Sequence, residues 1–138
     1  DVLLDTYQSE REPHVRAVID LAVVLGSVIQ TTDPAVAAAR DERFRTAGGA
    51  PPEVGLPRLG PGCFHGVGDA VGRPFPQPRV GHDDTLGAGF ATVRSGDLTT
   101  IVRPDRYVFA EASDEAALAD ALAALETFVR PAMSSERG

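Results

Sequence analysis

Few side chains in this sequence combine the type and the spacing that chemistry requires. Cys63, His65 and His82, together with Asp83 or Asp84, offer the thiol, imidazoles and carboxylates of a metal site. Their spacing fits no zinc pattern, because there is neither a paired Cys-x-x-Cys nor a helical pair of histidines. They read better as loop residues at a domain junction, so no metal-binding residue is expected. A single cysteine also excludes disulfide exchange within the chain. His14 could serve as a base, but no Ser or Cys nucleophile stands beside it, and capping or packing at a helix kink is the expected role. Asp83-Asp84 might hold a cation, yet adjacent residues on a strand point to opposite faces, which favours a solvated turn. Gly60-Pro61-Gly62 is no phosphate cradle, because proline removes an amide that such a cradle would use. We therefore expect no catalytic and no cofactor-binding residue in this chain.

The elements that carry these residues fall into three stretches. Val2 to Gln30 has a helical pattern: Leu3, Leu4 and Tyr7 suit a short opening helix, and Pro13 predicts a break or kink. Beyond it, Val15, Val18, Ile19, Ala22, Leu25 and Ile29 recur at helical spacing. Leu21, Val23, Val24 and Val28 make this helix apolar all round, as expected of one buried in something larger. Asp33-Pro34 then signals a helix start, with Asp as the cap and Pro at the first helical position. That helix should run to about Phe44.

From Gly48 to Pro78, Gly and Pro are so dense that neither a helix nor a central strand is expected. This stretch reads as a linker lying over a neighbouring surface. After it, Gly89 to Val93, Leu98 to Val102 and Arg106 to Ala110 suit strands. Pro104-Asp105 should turn the last two into an antiparallel hairpin. Ser113 is the expected cap of a final helix whose buried stripe is Leu118, Leu122, Leu125 and Val129, and which Pro131 should end. The domain expectation is therefore helices over 1–47, a linker over 48–78 and a small second unit over 79–138.

Composition narrows the function classes. The chain has 138 residues, enough for one core, with 43% hydrophobic and 24% charged residues. A net charge of −7 without any basic run disfavours nucleic acid and anionic membrane surfaces as partners. The longest apolar stretch, Leu21 to Gly26, is far shorter than the ~20 residues of a membrane helix. One cysteine and an acidic amino end without a basic leader predict a cytoplasmic location. The opening Asp1 suggests a start cut from inside a longer protein.

Two segments together carry a family resemblance. Leu3-Leu4-Asp5-Thr6-Tyr7-Gln8-Ser9-Glu10-Arg11-Glu12-Pro13-His14 resembles the LLDTYxxERxPH segment of flavin-dependent aromatic-ring hydroxylases, of the 3-(3-hydroxyphenyl)propionate and phenol hydroxylase type. Asp83-Asp84-Thr85-Leu86-Gly87-Ala88-Gly89-Phe90 and Ile101-Val102-Arg103-Pro104-Asp105-Arg106-Tyr107-Val108 resemble the LDDxLGxGFxLL and LVRPDxYV strands of that family's carboxy-terminal thioredoxin-like domain. Asp33-Pro34 and the stretch from Gly72 to Arg79 also fit.

The resemblance implies a mixed α/β fold, a thioredoxin-like small sheet flanked by helices and preceded by helices from the end of the FAD and substrate portion. It implies a parent enzyme that uses FAD, NAD(P)H and dioxygen to hydroxylate phenolic or phenylpropanoid rings, the cofactor performing the difficult step. The Gly-x-Gly-x-x-Gly turn and the later Gly-Asp motif that hold FAD in that family are not in this sequence. No cofactor is therefore expected here, and the partner would be the amino-terminal FAD-binding domain of the same protein, with a homo-oligomer possible. Glu10-Arg11 would tie its helix to that catalytic domain, the alternative being a surface ion pair of about 0–1 kcal/mol. The four residues Arg94-Ser95-Gly96-Asp97 leave no room for the helical crossover of a thioredoxin-like fold. They suggest either a reduced domain with a hairpin or, as we expect, a missing segment. The competing function class is a small non-catalytic binding or dimerisation module.

Overall fold

A computed structural model describes residues 2–48, 55–76 and 86–134. The element order is α1 (Val2–Asp5), α2 (Tyr7–Ile29), α3 (Pro34–Thr46), β1 (Ala91–Ser95), β2 (Leu98–Val102), β3 (Val108–Ala112) and α4 (Glu115–Ser134). The fold is mixed α/β, with three strands in one antiparallel sheet of order β1-β2-β3. Two compact units emerge: 1–14 with 58–138, and 15–57.

In the sheet unit, β1 and β2 form a hairpin in which Ser95 faces Leu98, so Gly96-Asp97 alone make the turn. Gly96 takes φ +59°, the left-handed region in which a side chain is disfavoured. This hairpin overturns the expectation of a missing segment between Val93 and Leu98. The crossover requirement behind that expectation does not arise, because every strand pairing in the sheet is antiparallel.

The β2–β3 turn has Arg106 N–H donating to Arg103 O at 3.0 Å and Arg103 N–H to Tyr107 O at 2.8 Å. Arg106 closes it at φ +68°, where glycine is the usual occupant. That turn is longer than Pro104-Asp105 alone, so the third strand begins at Val108 rather than Arg106. Between Ile101 and Val102 the register slips by one residue, leaving Phe109 without a facing partner in β2.

Phe109 is fully buried and anchors the core with Cys63, Ile101, Ala110 and Ala121. Its ring meets Phe90 and Phe128 edge-on at 5.9 and 6.1 Å, the arrangement that aromatic quadrupoles favour. The buried stripe of α4 is shifted from expectation. Leu118, Ala121, Leu125 and Phe128 face the core, whereas Leu122 is 42% exposed. Small Ala121, with no accessible surface left, marks the closest approach of helix to sheet. Asp114, one residue beyond the expected cap, starts α4 by accepting from Ala117 N–H at 2.8 Å. The helix also runs past Pro131 to Ser134.

Residues 58–76 form no strand, as their Gly and Pro content predicts, but they belong to the sheet unit. Their backbone runs along β3: His65 N–H donates to Phe109 O, Gly72 N–H to Val108 O, and Val108 N–H to Arg73 O, each at 2.9 Å. An irregular segment thus satisfies the polar groups of a strand edge that would otherwise template aggregation.

Pro13 does not break α2, which continues from Tyr7 to Ile29, and the interruption falls at Thr6 instead. The support comes from the loop. Gly60 N–H donates to Glu10 O at 2.9 Å, and Gly60 packs so closely on Ser9 O and Pro13 Cγ that a Cβ would clash. In the other unit, Asp33 Oδ1 accepts from Ala35 N–H at 2.8 Å and Val36 N–H at 3.3 Å, the cap that the sequence predicts for α3.

Candidate functional site

A cluster of charged side chains in the sheet unit lies where the first turns of α2 meet the β2–β3 turn. Glu10 is only 2% exposed, deep for a carboxylate. It accepts from Cys63 N–H at 2.6 Å and from Arg103 Nη2 at 2.9 Å. Gly62 makes room for it, since a Cβ at that position would overlap the Glu10 carboxylate. Arg103 spends its remaining donors locally, Nε and Nη2 to the Asp105 carboxylate at 3.0 Å and Nη1 to Cys63 O at 3.1 Å. Its guanidinium also stacks 4.9 Å over the Phe64 ring.

Beside this pair, Arg11 Nη2 donates to Asp105 Oδ2 at 2.9 Å and lies 5.0 Å over the Tyr107 ring. Tyr107 in turn meets His14 edge-on, with its hydroxyl 3.4 Å from Nε2. The three contacts step along the helix and the turn together: Glu10 with Arg103, Arg11 with Asp105, His14 with Tyr107. Two carboxylates and two guanidiniums sum to zero charge, which is how ionised groups can be withdrawn from water without a large penalty.

The electrostatics match this structural role. Burial disfavours the charged form of Arg103, but the hydrogen bond to Glu10 and the fields of Asp105 and Glu10 outweigh it, and its pKa is raised. Burial pushes the Cys63 thiol up to about 11, with Arg103 opposing and Glu10 and Asp105 reinforcing the rise. A thiol that stays protonated at neutral pH is neither a nucleophile nor a ready metal ligand. An open cleft of about 200 Å³ lies beside the cluster, lined by Thr6, Cys63, Phe90, Arg103, Pro104 and Asp105. Its charged groups are already committed to one another.

The residues singled out in the sequence are thus dispersed. Cys63 sits in the core, while His65 pairs with Asp120 of α4 at 2.8 Å on the surface. Among the described residues, no group of three His, Cys, Asp or Glu side chains is placed to hold a metal. His82, Asp83 and Asp84 lie outside the described residues. His14 packs against Tyr107, one residue beyond Pro13. Glu10-Arg11 engages the β2–β3 turn of this same chain. The Gly60-Pro61-Gly62 stretch turns its amides inward, with Gly60 N–H donating to Glu10 O and Cys63 N–H to the Glu10 carboxylate. Sequence reading missed Arg103 and Asp105 as partners of Glu10 and Arg11. The available signal was the complementary charge order of the two motifs.

Comparison with known proteins gives the chain a context. The chain is 38% identical over 123 residues to a probable NADH-specific resorcinol 4-hydroxylase of Rhodococcus jostii, covering 80% of this chain and 22% of that protein. It is also 38% identical over 115 residues to a 3-(3-hydroxy-phenyl)propionate/3-hydroxycinnamic acid hydroxylase of Mycolicibacterium smegmatis, covering 67% of this chain and 20% of that one. The Mycobacterium avium protein of the same name is 39% identical over 115 residues. The chain spans about a fifth of the length of these relatives. No protein-family profile and no solved structure matches it. No single described helix is long and apolar enough to cross a membrane.

Proposed function

We propose, from the premise that this chain belongs with the aromatic-ring hydroxylases over about a fifth of their length, that it is the carboxy-terminal segment of such an enzyme and supports the chemistry without performing it. The whole enzyme would hydroxylate a phenolic or phenylpropanoid compound with FAD and NAD(P)H, in the cytoplasm. One of the relatives is named for NADH and resorcinol. Residues 1–47 would close the catalytic portion, and residues from 79 onward would form a reduced thioredoxin-like domain beyond a linker over 48–78. The partner of this segment is the amino-terminal FAD-binding part of the same polypeptide.

The observation that carries this reading is the 38% identity over 123 residues, which covers 80% of this chain. Flavins carry the oxygen chemistry in enzymes of this kind, and the protein supplies binding and orientation. The segment's own contribution is to hold the start of α2 against the sheet unit. The test is purification of the whole polypeptide that contains this chain. A yellow protein whose NADH or NADPH oxidation rises with resorcinol or 3-(3-hydroxyphenyl)propionate supports the reading. A colourless protein with no phenol-stimulated oxidation overturns it and favours a non-catalytic binding module.

A further inference from the structure

The second half of α2 presents an apolar stripe that the described residues leave uncovered. Val15, Ile19, Ala22, Gly26 and Ile29 follow one another at spacings of four, three, four and three residues. On a helix with 3.6 residues per turn this places all five on one face, over about 21 Å of axis. Val15, Ile19 and Ile29 are 49%, 55% and 77% exposed, and Val23 at the flank is 66% exposed. The alternation of four and three is the seam spacing by which one helix packs along another.

Gly26 adds a second constraint. It lies inside α2, where glycine lowers helix stability relative to alanine. A Cβ there would meet no atom within 4 Å, so nothing described in this chain requires glycine at that position. A backbone crossing closely over Gly26 would.

We infer that the Val15–Ile29 stripe is the docking face for an apolar helix from the preceding part of the hydroxylase polypeptide, which crosses α2 most closely at Gly26. This rests on the proposed function. The occupant follows from the relatives, in which about four-fifths of the length lies outside the region matched here. The charge on this stretch, Arg16 and Asp20, is balanced and lies off the stripe, which suits a neutral helix and gives an anionic bilayer nothing to attract.

The experiment uses the whole polypeptide, purified with its flavin. Ile19→Glu and Gly26→Leu are expected to lose soluble, flavin-containing protein, while Asp20→Asn, off the stripe, retains both. Because a variant that fails to fold is uninformative about contacts, Val23→Cys and Asp20→Cys are compared by maleimide labelling without denaturant, each followed on its own peptide by mass spectrometry. The inference predicts that position 23 is protected and position 20 reacts. Equal labelling at both positions overturns it. So does a Gly26→Leu protein that keeps its flavin but changes from dimer to monomer, which would assign the face to a second copy. Loss of phosphatidylcholine vesicle binding in Ile19→Glu would assign it to a membrane and also overturn it. A colourless polypeptide with position 23 protected defeats the hydroxylase reading and leaves the docking face standing.

Discussion

The two units of this chain solve burial in opposite ways. In the sheet unit, apolar side chains from β2, β3 and α4 close around Phe109, and the charged residues of the first turns of α2 find opposite charges on the β2–β3 turn. In the 15–57 unit, α3 has no buried residue, and Val15, Ile19, Val23, Val24, Leu25 and Ile29 of α2 are exposed. A stretch that supplies its own partners can be order-forming within this chain. One that exposes isoleucine and valine at helical spacing is, on the inference above, a face for protein outside it. The same helix carries both kinds of surface, and the change falls near His14.

That contrast can be broken at several strengths. The largest effects belong to the sheet unit. Truncating Phe109→Ala leaves a cavity against Phe90 and Phe128 and is expected to cost about 3–5 kcal/mol, read from the urea midpoint of the circular dichroism signal. Arg103→Ala strands the buried Glu10 carboxylate and should cost a similar ~3–5 kcal/mol. The paired change Glu10→Leu with Arg103→Met should be milder than Arg103→Ala alone, because it removes both charges together. If the pair costs as much as the sum of the singles, the charge pairing is not what holds this contact.

Smaller effects follow at the helix starts. Asp114→Ala removes the cap of α4 and should cost about 1 kcal/mol, and Asp33→Ala a similar amount, lost from α3 helicity rather than from the core transition. Arg11→Ala, in a partly exposed pair with Asp105, should fall within about 0–1 kcal/mol. At the bottom of the range, Ile29→Ala in this chain alone should change stability by less than about 0.5 kcal/mol. A loss near that of Phe109→Ala would mean that the 15–57 unit has a core of its own.

Cys63 gives a pH signature. Its thiol is raised to about 11 by burial, so the folded state binds the proton more tightly than the unfolded chain. Stability from this source is fully present below the ordinary thiol value of 9.0 and is lost as pH rises through about 11. Urea midpoints should fall between those limits in the wild-type chain, and Cys63→Ala should flatten that fall. An unchanged slope would place its cause elsewhere.

Legibility in the sequence followed distance along the chain. The Asp33-Pro34 cap, the antiparallel hairpin and the absence of strands among the described residues 55–76 were readable, because each depends on residues within a few positions of one another. The continuity of α2 through Pro13 was not readable, because the loop packed on that turn, with Gly60 N–H on Glu10 O and Gly60 close to Pro13 Cγ, lies far along the chain. The α4 stripe was read one residue off its centre at Ala121, since leucines look more buried than alanines until the approach of helix to sheet is known. The hairpin at Gly96 was resisted because a fold resemblance demanded a crossover that three antiparallel strands do not need. The partners of Glu10 and Arg11 were in plain sight as residue types. Only the fold brings Arg103 and Asp105, some ninety positions away, to the same turns of helix.

Amide hydrogen exchange tests the central contrast most directly, by comparing this chain alone with the whole polypeptide that contains it. The account predicts that β2 and β3 are protected in both, while the amides from Val15 to Ile29 are protected only in the longer protein. Equal protection of that helix in the two samples, at the level of the β2–β3 strands, would contradict it.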